Sequence, residues 1–295
     1  MTTKENIRTF LGAGVAPWLD TISGDEFSRV SEIRLRAGKP MLIRMGGHDF
    51  FPDFRPAFED IKETMERISR YSFYAFEAEL SAGYITLPGG HRVGVSGQPV
   101  IENGAVSAWR YISTINIRVA HSVKGCADPV LPKILNGGGL LHTMLISPPA
   151  YGKTTLLRDI VRQISDGGIT VGLADERSEI AGCFRGIPQN DVGIRTDIID
   201  GCPKAAAMLM LLRGMSPEVI AVDELGGEQD ARAVESVLNA GIRLLCTAHG
   251  RALDDVAQSP LLGKIIARGV FERFVVLDKN HGVPQVYDGG GKCLS

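Results

Sequence analysis

The stretch SPPAYGKTT, Ser147 to Thr155, stands between an apolar run, LLHTMLIS (140–147), and TLLRDIVRQI (155–164), whose apolar residues recur at helical spacing. A glycine, a lysine and a hydroxyl residue placed between a buried strand and a helix start form a phosphate-binding loop. Gly152 permits a tight turn that aims successive backbone N–H groups, and the N-terminal end of the helix, at phosphate oxygens. Lys153 sets a point charge on the outer phosphates, and Thr154 offers a hydroxyl to magnesium. Ser147, Pro148, Pro149, Ala150, Tyr151, Gly152, Lys153, Thr154 and Thr155 are therefore the expected contacts of magnesium-ATP. Ser147 stands where the motif GxxxxGK[ST] has its first glycine, a replacement the backbone accommodates if Ser147 keeps a negative φ.

Outward from this loop, short apolar strands alternate with amphipathic helices: LLHTMLIS, ITVGLAD (169–175), EVIAVDE (218–224) and IRLLCTA (242–248). The alternation predicts an α/β domain over 140–295, with a mainly parallel sheet covered by helices on both faces. FERFVVLD (271–278), a turn at 279–282 and PQVYD (284–288) read as a terminal hairpin. Ligands of open parallel sheets bind outside the carboxyl ends of the strands. Asp223 ends the run VIAV at that edge, the expected place of a magnesium-side carboxylate, and Glu224 is suited to accept a proton from the water that attacks the γ-phosphate. DERSE (175–179) lies on the same edge, so Glu176 or Glu179 could share the base role with Glu224. His249, which closes IRLLCTAH, could sense the γ-phosphate or hydrogen-bond the catalytic carboxylate, and His91, in PGGHRVG, carries the same ambiguity.

The first part of the chain has another character. EIRLRAGKPMLIRM (32–45) alternates and is punctuated like two short strands, 57–70 and 74–82 carry helical spacing, and TLPGGHRVGVSGQPVIENGAVSAWR (86–110) sets glycine turns between β-prone runs. These features predict a smaller α+β domain over 1–125, joined to the second domain by a Gly/Pro-rich linker at 126–139. Composition is ordinary for globular protein, 44% hydrophobic and 22% charged, and a formal net charge of -2 provides no general attraction to nucleic acid or anionic lipid. Five cysteines without a CxxC pair suit a reducing cytosol as structural thiols. The N-terminus lacks the pattern of a secretory signal, and the longest apolar stretch, near 205–212, is too short to cross a bilayer, so membrane contact is expected to be peripheral only.

The order GKTT, DERSEI, LLRGMSPEVIAVDE and TAHG resembles the secretion-ATPase superfamily, the hexameric motors of type II and type IV secretion and of pili. EIRLRAGKP, GYITLPGGHRVGVSG, INIRVA, DVGIRTDIIDGCPKA and MSPEVIAVDELG, spread over most of the chain, resemble more closely a sporulation family within it. The resemblance implies a RecA-like P-loop ATPase domain, in which DERSE is the acidic box, Asp223 and Glu224 the Walker B pair and TAHG the histidine box. It also implies arginines of the N-terminal domain that reach ATP across a subunit boundary, for which Arg92, Arg110 and Arg118 are candidates. The implied setting is a homo-oligomer, a hexamer, on the cytoplasmic, mother-cell face of the membrane around the forespore. There it would be peripheral, with membrane proteins of the sporulation channel as partners. The chain departs from the superfamily at Ser147 and at Gly226, where many secretion ATPases carry an arginine, and either change could slow turnover. Two alternatives stay open. A nucleic-acid motor would use the basic residues Arg34, Arg36, Lys39 and Arg44, but no interleaved aromatics accompany them and no nucleic acid is expected. A nucleotide-dependent scaffold would bind ATP without useful turnover, against which stand Lys153, Asp223 and Glu224.

Overall fold

Val30, Ile33 and Leu35 are fully buried while their neighbours are not, the signature of a strand with one face on a core. In the computed structural model, which describes residues 2–70, 83–121, 123–149, 151–260, 262–278 and 282–294, the chain divides into units 1–121 and 122–295. The first unit is built on six strands: β1 (Val30–Arg36), β2 (Leu42–Met45), β3 (His48–Phe50), β4 (Tyr84–Leu87), β5 (His91–Glu102) and β6 (Ala105–Arg118). They form one sheet in the order β3-β2-β1-β6-β5-β4, antiparallel at every pairing. The helix Phe58–Ile68 buries Ile61, Met65 and Ile68, which its three-to-four spacing puts on one face. The helical segment expected at 74–82 lies outside the described residues.

Two of the four candidate basic residues on and beside β1 and β2 are neutralised by carboxylates. Arg34 pairs with Glu32, and Arg44 grips Asp49 through Nε at 2.7 Å and Nη2 at 3.1 Å. Those partners reduce the field that these two arginines offer a phosphate backbone. His91, one of the two ambiguous histidines, is a core residue. It is 1% exposed, its Nδ1 accepts the Ala120 N–H at 3.0 Å, and burial, with His121 nearby, pulls its pKa down to about 4.

The second unit contains a short hairpin, β7 (Leu135–Asn136) and β8 (Gly139–Leu140), then β9 (Thr143–Ser147), β10 (Val171–Asp175), β11 (Thr196–Asp200), β12 (Val219–Val222), β13 (Arg243–His249), β14 (Arg273–Val276) and β15 (Gln285–Asp288). The last seven form one sheet in the order β11-β10-β12-β13-β9-β14-β15, parallel except where β15 turns back on β14. All five residues of β9 and all four of β12 are buried, as strands covered on both faces must be. One face is covered by the helix Lys153–Asp166 through Leu156, Leu157, Ile160, Val161 and Ile164, each contributing about 1.5–3 kcal/mol on burial. The other is covered by Lys204–Gly214 and Glu228–Asn239 through Ala207, Met208, Leu211, Ala233, Val234 and Val237. The turn expected at 279–282 lies outside the described residues apart from Gly282.

Two parts of this unit differ from the sequence expectation. Residues 126–139 are not a free linker: Ala127, Val130 and Ile134 are fully buried against the helix Lys153–Asp166, and the Ala127 N–H donates to Asp159 at 2.9 Å. Glycines and prolines obscured an apolar spacing that packs. β11, TDIID, was not foreseen, because an edge strand needs little apolar character, and its residues are exposed or half-buried.

The buried His91 makes a pH prediction for the whole chain. Its folded pKa, about 4, lies below the ordinary 6.5, so the unfolded state binds the extra proton and stability rises with pH between those values. The term amounts to about 3 kcal/mol, complete above the upper value and lost on acidification towards the lower. Melting followed from pH 7 to 4.5 should show this slope, and His91→Met should remove most of it.

Candidate nucleotide site

Parallel register brings the polar residues together. β12 and β13 run in step, Val222 beside Cys246, which sets Asp223 beside Thr247; β13 and β9 run in step, His249 beside Ser147. Carboxylate, hydroxyl, imidazole and the start of the glycine loop therefore share the carboxyl edge of three adjacent strands.

Ser147 ends β9 with its side chain buried, and its hydroxyl donates to the Pro148 carbonyl at 3.0 Å. It is absent from the non-glycine residues with positive φ, so this position asks nothing that only glycine supplies. Gly152 does: at φ 86° and ψ 13° it is left-handed, with open space where a Cβ would stand, and it caps the helix that begins at Lys153. Pro148, Tyr151, Thr154 and Thr155 are half-buried around the turn and Pro149 is exposed; Ala150 lies outside the described residues.

Lys153 is 8% exposed, and its Nζ lies 3.5 Å from His249 Nδ1. His249 Nε2 lies 2.8 Å from Glu224 Oε1. A neutral ring with its proton on Nε2 accepts from the lysine and donates to the carboxylate, which makes one chain of three side chains. Burial pulls the Lys153 ammonium below the ordinary lysine range; Asp223, Glu224 and Glu179 oppose that shift and Arg177 adds to it. An anion at the loop would relieve the cost of burying this charge. Asp223 is held from the side: Oδ1 accepts the Thr247 hydroxyl at 2.7 Å and the Glu224 N–H at 3.0 Å, and the same N–H reaches Thr247 Oγ1 at 2.9 Å.

The acidic segment DERSE leaves the end of β10 as a turn. Asp175 is 1% exposed and turned inward, where its carboxylate accepts the N–H groups of Glu179, Ile180 and Ala181 at 2.9, 3.0 and 2.9 Å. Burial raises its pKa, and the backbone N–H groups oppose the rise. Ser178 takes a left-handed conformation, φ 54°, within this turn. From the helix that follows the loop, Arg158 donates to the carbonyls of Ile180 and Glu179, both at 2.6 Å. Asp175 thus gathers the amides of the turn and Arg158 its carbonyls. Glu176 is largely exposed and meets Lys204 Nζ at 3.3 Å. Arg158 and Lys204 escaped the sequence analysis, and Thr247 entered it only as the first residue of TAHG, with no role of its own. Thr247 was findable, standing in line with Asp223 once the strand ends are aligned; the other two carry no signal before the chain is folded.

The three candidate arginines belong to the first unit. Arg92 on β5 lies over the Tyr84 ring at 4.6 Å and stands in register with Arg118 on β6, which in turn stands opposite Glu32 on β1. Arg118 is exposed, and Arg110 is exposed beside a groove lined by Phe58, Met65, Trp109 and Tyr111.

Solved structures share this architecture. The ATPase DotB of Yersinia pseudotuberculosis matches with a TM-score of 0.61 at 17% identity, over 96% of this chain and 78% of that one. DotB of Legionella pneumophila matches with 0.59 at 17% identity, over 85% and 73%, and the pilus retraction motor PilT with 0.54 at 18%, over 89% and 79%. The fold is the RecA-like α/β fold of the secretion ATPases. At the level of sequence, the family described as sporulation stage III, protein AA matches residues 1–294, and the stage III sporulation protein AA of Bacillus subtilis (strain 168) is 40% identical over 285 residues, 94% of this chain and 92% of that one. The chain belongs to the stage III sporulation protein AA family. Part of it, 155 residues, is also 30% identical to the protein SEEDLING PLASTID DEVELOPMENT 1 of Arabidopsis thaliana, covering 52% of this chain and 22% of that one.

Two substitutions test this geometry without reference to turnover. Thr247→Val should cost about 1–3 kcal/mol in denaturant unfolding, since it strips a donor from Asp223 and an acceptor from the Glu224 N–H. Ser147→Gly, which restores the motif, should lower stability by about 0.5–1 kcal/mol and leave ATP affinity within about twofold, because the strand end has no use for a left-handed residue.

Proposed function

We propose that the chain is a magnesium-dependent ATP hydrolase that works as the motor of a sporulation channel. The observation that carries this is the chain of contacts from Lys153 through His249 to Glu224, set beside a left-handed glycine at a helix start. The N–H groups around Gly152 would cradle the phosphates, with Lys153 on the outer ones. Thr154 and Asp223 would hold magnesium, which supplies positive charge to the phosphate oxygens when bound. Among the described residues no group of three or more His, Cys, Asp or Glu is placed to hold a metal, so this site would depend on the phosphates to complete the ion's shell. Glu224 would take the proton of the attacking water, whose oxygen bonds to the γ-phosphorus as the bond to the β-phosphate oxygen breaks, and His249 would fix the carboxylate in position.

Three of the solved structures support hydrolysis coupled to work: both DotB structures carry the name ATPase, and PilT, a pilus retraction motor, was crystallised with ADP. A hexameric ring is proposed from the resemblance of the sequence motifs to the secretion ATPases, with one of Arg118, Arg92 and Arg110 of the first unit completing the ATP site of a neighbouring copy. Membrane proteins of the channel would be the partners, met from the mother-cell side. Among the described residues no helix is long and apolar enough to cross a membrane, which suits peripheral attachment. Ser147 is buried and hydrogen-bonded at the end of a regular strand, which argues against reading it as a defect of the loop, and the paired Arg34 and Arg44 weaken the case for a nucleic-acid motor.

Phosphate release with magnesium and ATP, measured over a range of protein concentration, tests the proposal. Turnover per chain should rise with concentration, Lys153→Ala and Glu224→Gln should each lower it about 100-fold or more, and His249→Ala about 10-fold. Hydrolysis that survives Glu224→Gln, or wild-type protein that binds ATP and never turns over, would overturn it.

A further inference from the structure

Lys204 belongs to none of the motifs that define the site, yet it touches two of them. Its Nζ donates to the backbone carbonyl of Glu224 at 2.6 Å and pairs with Glu176 Oε2 at 3.3 Å, and the residue lines a small pocket with Glu176, Arg177, Asp223 and Glu224. Its approach is rigidly set. Gly201, left-handed at φ 65°, donates its N–H to the Asp175 carbonyl at 3.0 Å, and Pro203 caps the helix whose first residue is Lys204. The turn 201–204 is therefore tied to the acidic segment at its start and to Glu224 at its end.

The peptides flanking Glu224 lie beyond the end of β12, where a single backbone bond, from the Leu225 N–H to the Thr247 carbonyl at 3.1 Å, still reaches β13. Side chains hold the remaining groups: Thr247 and Asp223 take the Glu224 N–H, and Lys204 takes its C=O. Glu176 and Glu224 also differ in what engages their carboxylates. Glu176 faces the ammonium of Lys204, whereas Glu224 faces an imidazole that leads back to Lys153.

We infer that Lys204 is a positioning residue, which clamps the main chain of Glu224 so that this carboxylate serves as the base, and which engages Glu176 as its anchor rather than leaving it as a second base. The inference rests on the proposed hydrolase activity for its kinetic consequence, but not for its structural one. An ammonium that holds a carbonyl fixes the direction of the side chain on the same residue, and a displacement of about 1 Å of a catalytic group can cost about 100-fold in rate.

The test uses the full chain, with Lys204→Ala, Lys204→Arg, Glu176→Gln and the double variant Lys204→Ala/Glu176→Gln. Backbone hydrogen exchange of residues 223–227, read without nucleotide, should rise about 10-fold in Lys204→Ala and stay near wild type in Lys204→Arg, with the rest of the sheet unchanged. In steady state Lys204→Ala should lower kcat about 10-fold or more with KM within about twofold, Lys204→Arg should recover most of the loss, and Glu176→Gln should change kcat less than about threefold and add nothing to Lys204→Ala. Unchanged exchange in Lys204→Ala overturns the clamp. A Glu176→Gln variant as inactive as Glu224→Gln overturns the assignment of the base. If the wild-type protein shows no hydrolysis at all, the proposed activity fails while the exchange measurement still decides whether Lys204 holds the Glu224 peptide.

Discussion

Parallel pairing without offset between β12, β13 and β9 is the constraint on which the site depends. A slip of one residue in β13 would turn Thr247 and His249 together to the other face of the sheet, because side chains alternate along a strand. Thr247 would then leave Asp223, and the ring of His249 would leave the space between Lys153 and Glu224. The register is secured by burial on both faces: Ile220, Val222, Leu244 and Cys246 pack beneath one helical layer, and Val219, Ala221 and Leu245 beneath the other. The core thus sets the polar edge, and the two cannot be varied independently.

Around that edge, the parts that no strand holds are tied down by single side chains. Asp175 is a buried carboxylate whose place is justified by the three amides it accepts, since a charge taken from water needs partners of this kind. Arg158 carries the helix of the phosphate loop to the other side of the same turn, and Lys204 carries the next helix to Glu224. Any shift of the helix Lys153–Asp166 would therefore be felt in the acidic turn as well as in the loop. Residues 126–139 join this arrangement from the opposite end, through Ala127 and Asp159.

The first unit contrasts with the second in how its charges are used. On β1 and β2, Arg34 and Arg44 are matched by Glu32 and Asp49 and so serve the sheet, whereas Lys153 lies among several carboxylates near the carboxyl edge and is directed at no single one of them. A buried cation shared among several groups is suited to a ligand that brings its own negative charge. His91 and His249 show the same division: one is fully buried and takes a backbone N–H, the other stands at the sheet edge between two charged side chains.

Local sequence by itself determined the strands β9, β10, β12 and β13, the glycine loop and the candidates Lys153, Asp223, Glu224 and His249. These features depend on periods of two and 3.6 residues, on the unique freedom of glycine and on residue type, all of which are properties of short segments. Tertiary structure alone decided that Asp175 points inward while Glu176 points out, that Arg158 and Lys204 serve the site, and that 126–139 is part of a core. Those outcomes depend on which distant segment offers an unpaired N–H, carbonyl or carboxylate within about 3 Å, a condition that arises only when strands far apart in sequence are brought into register.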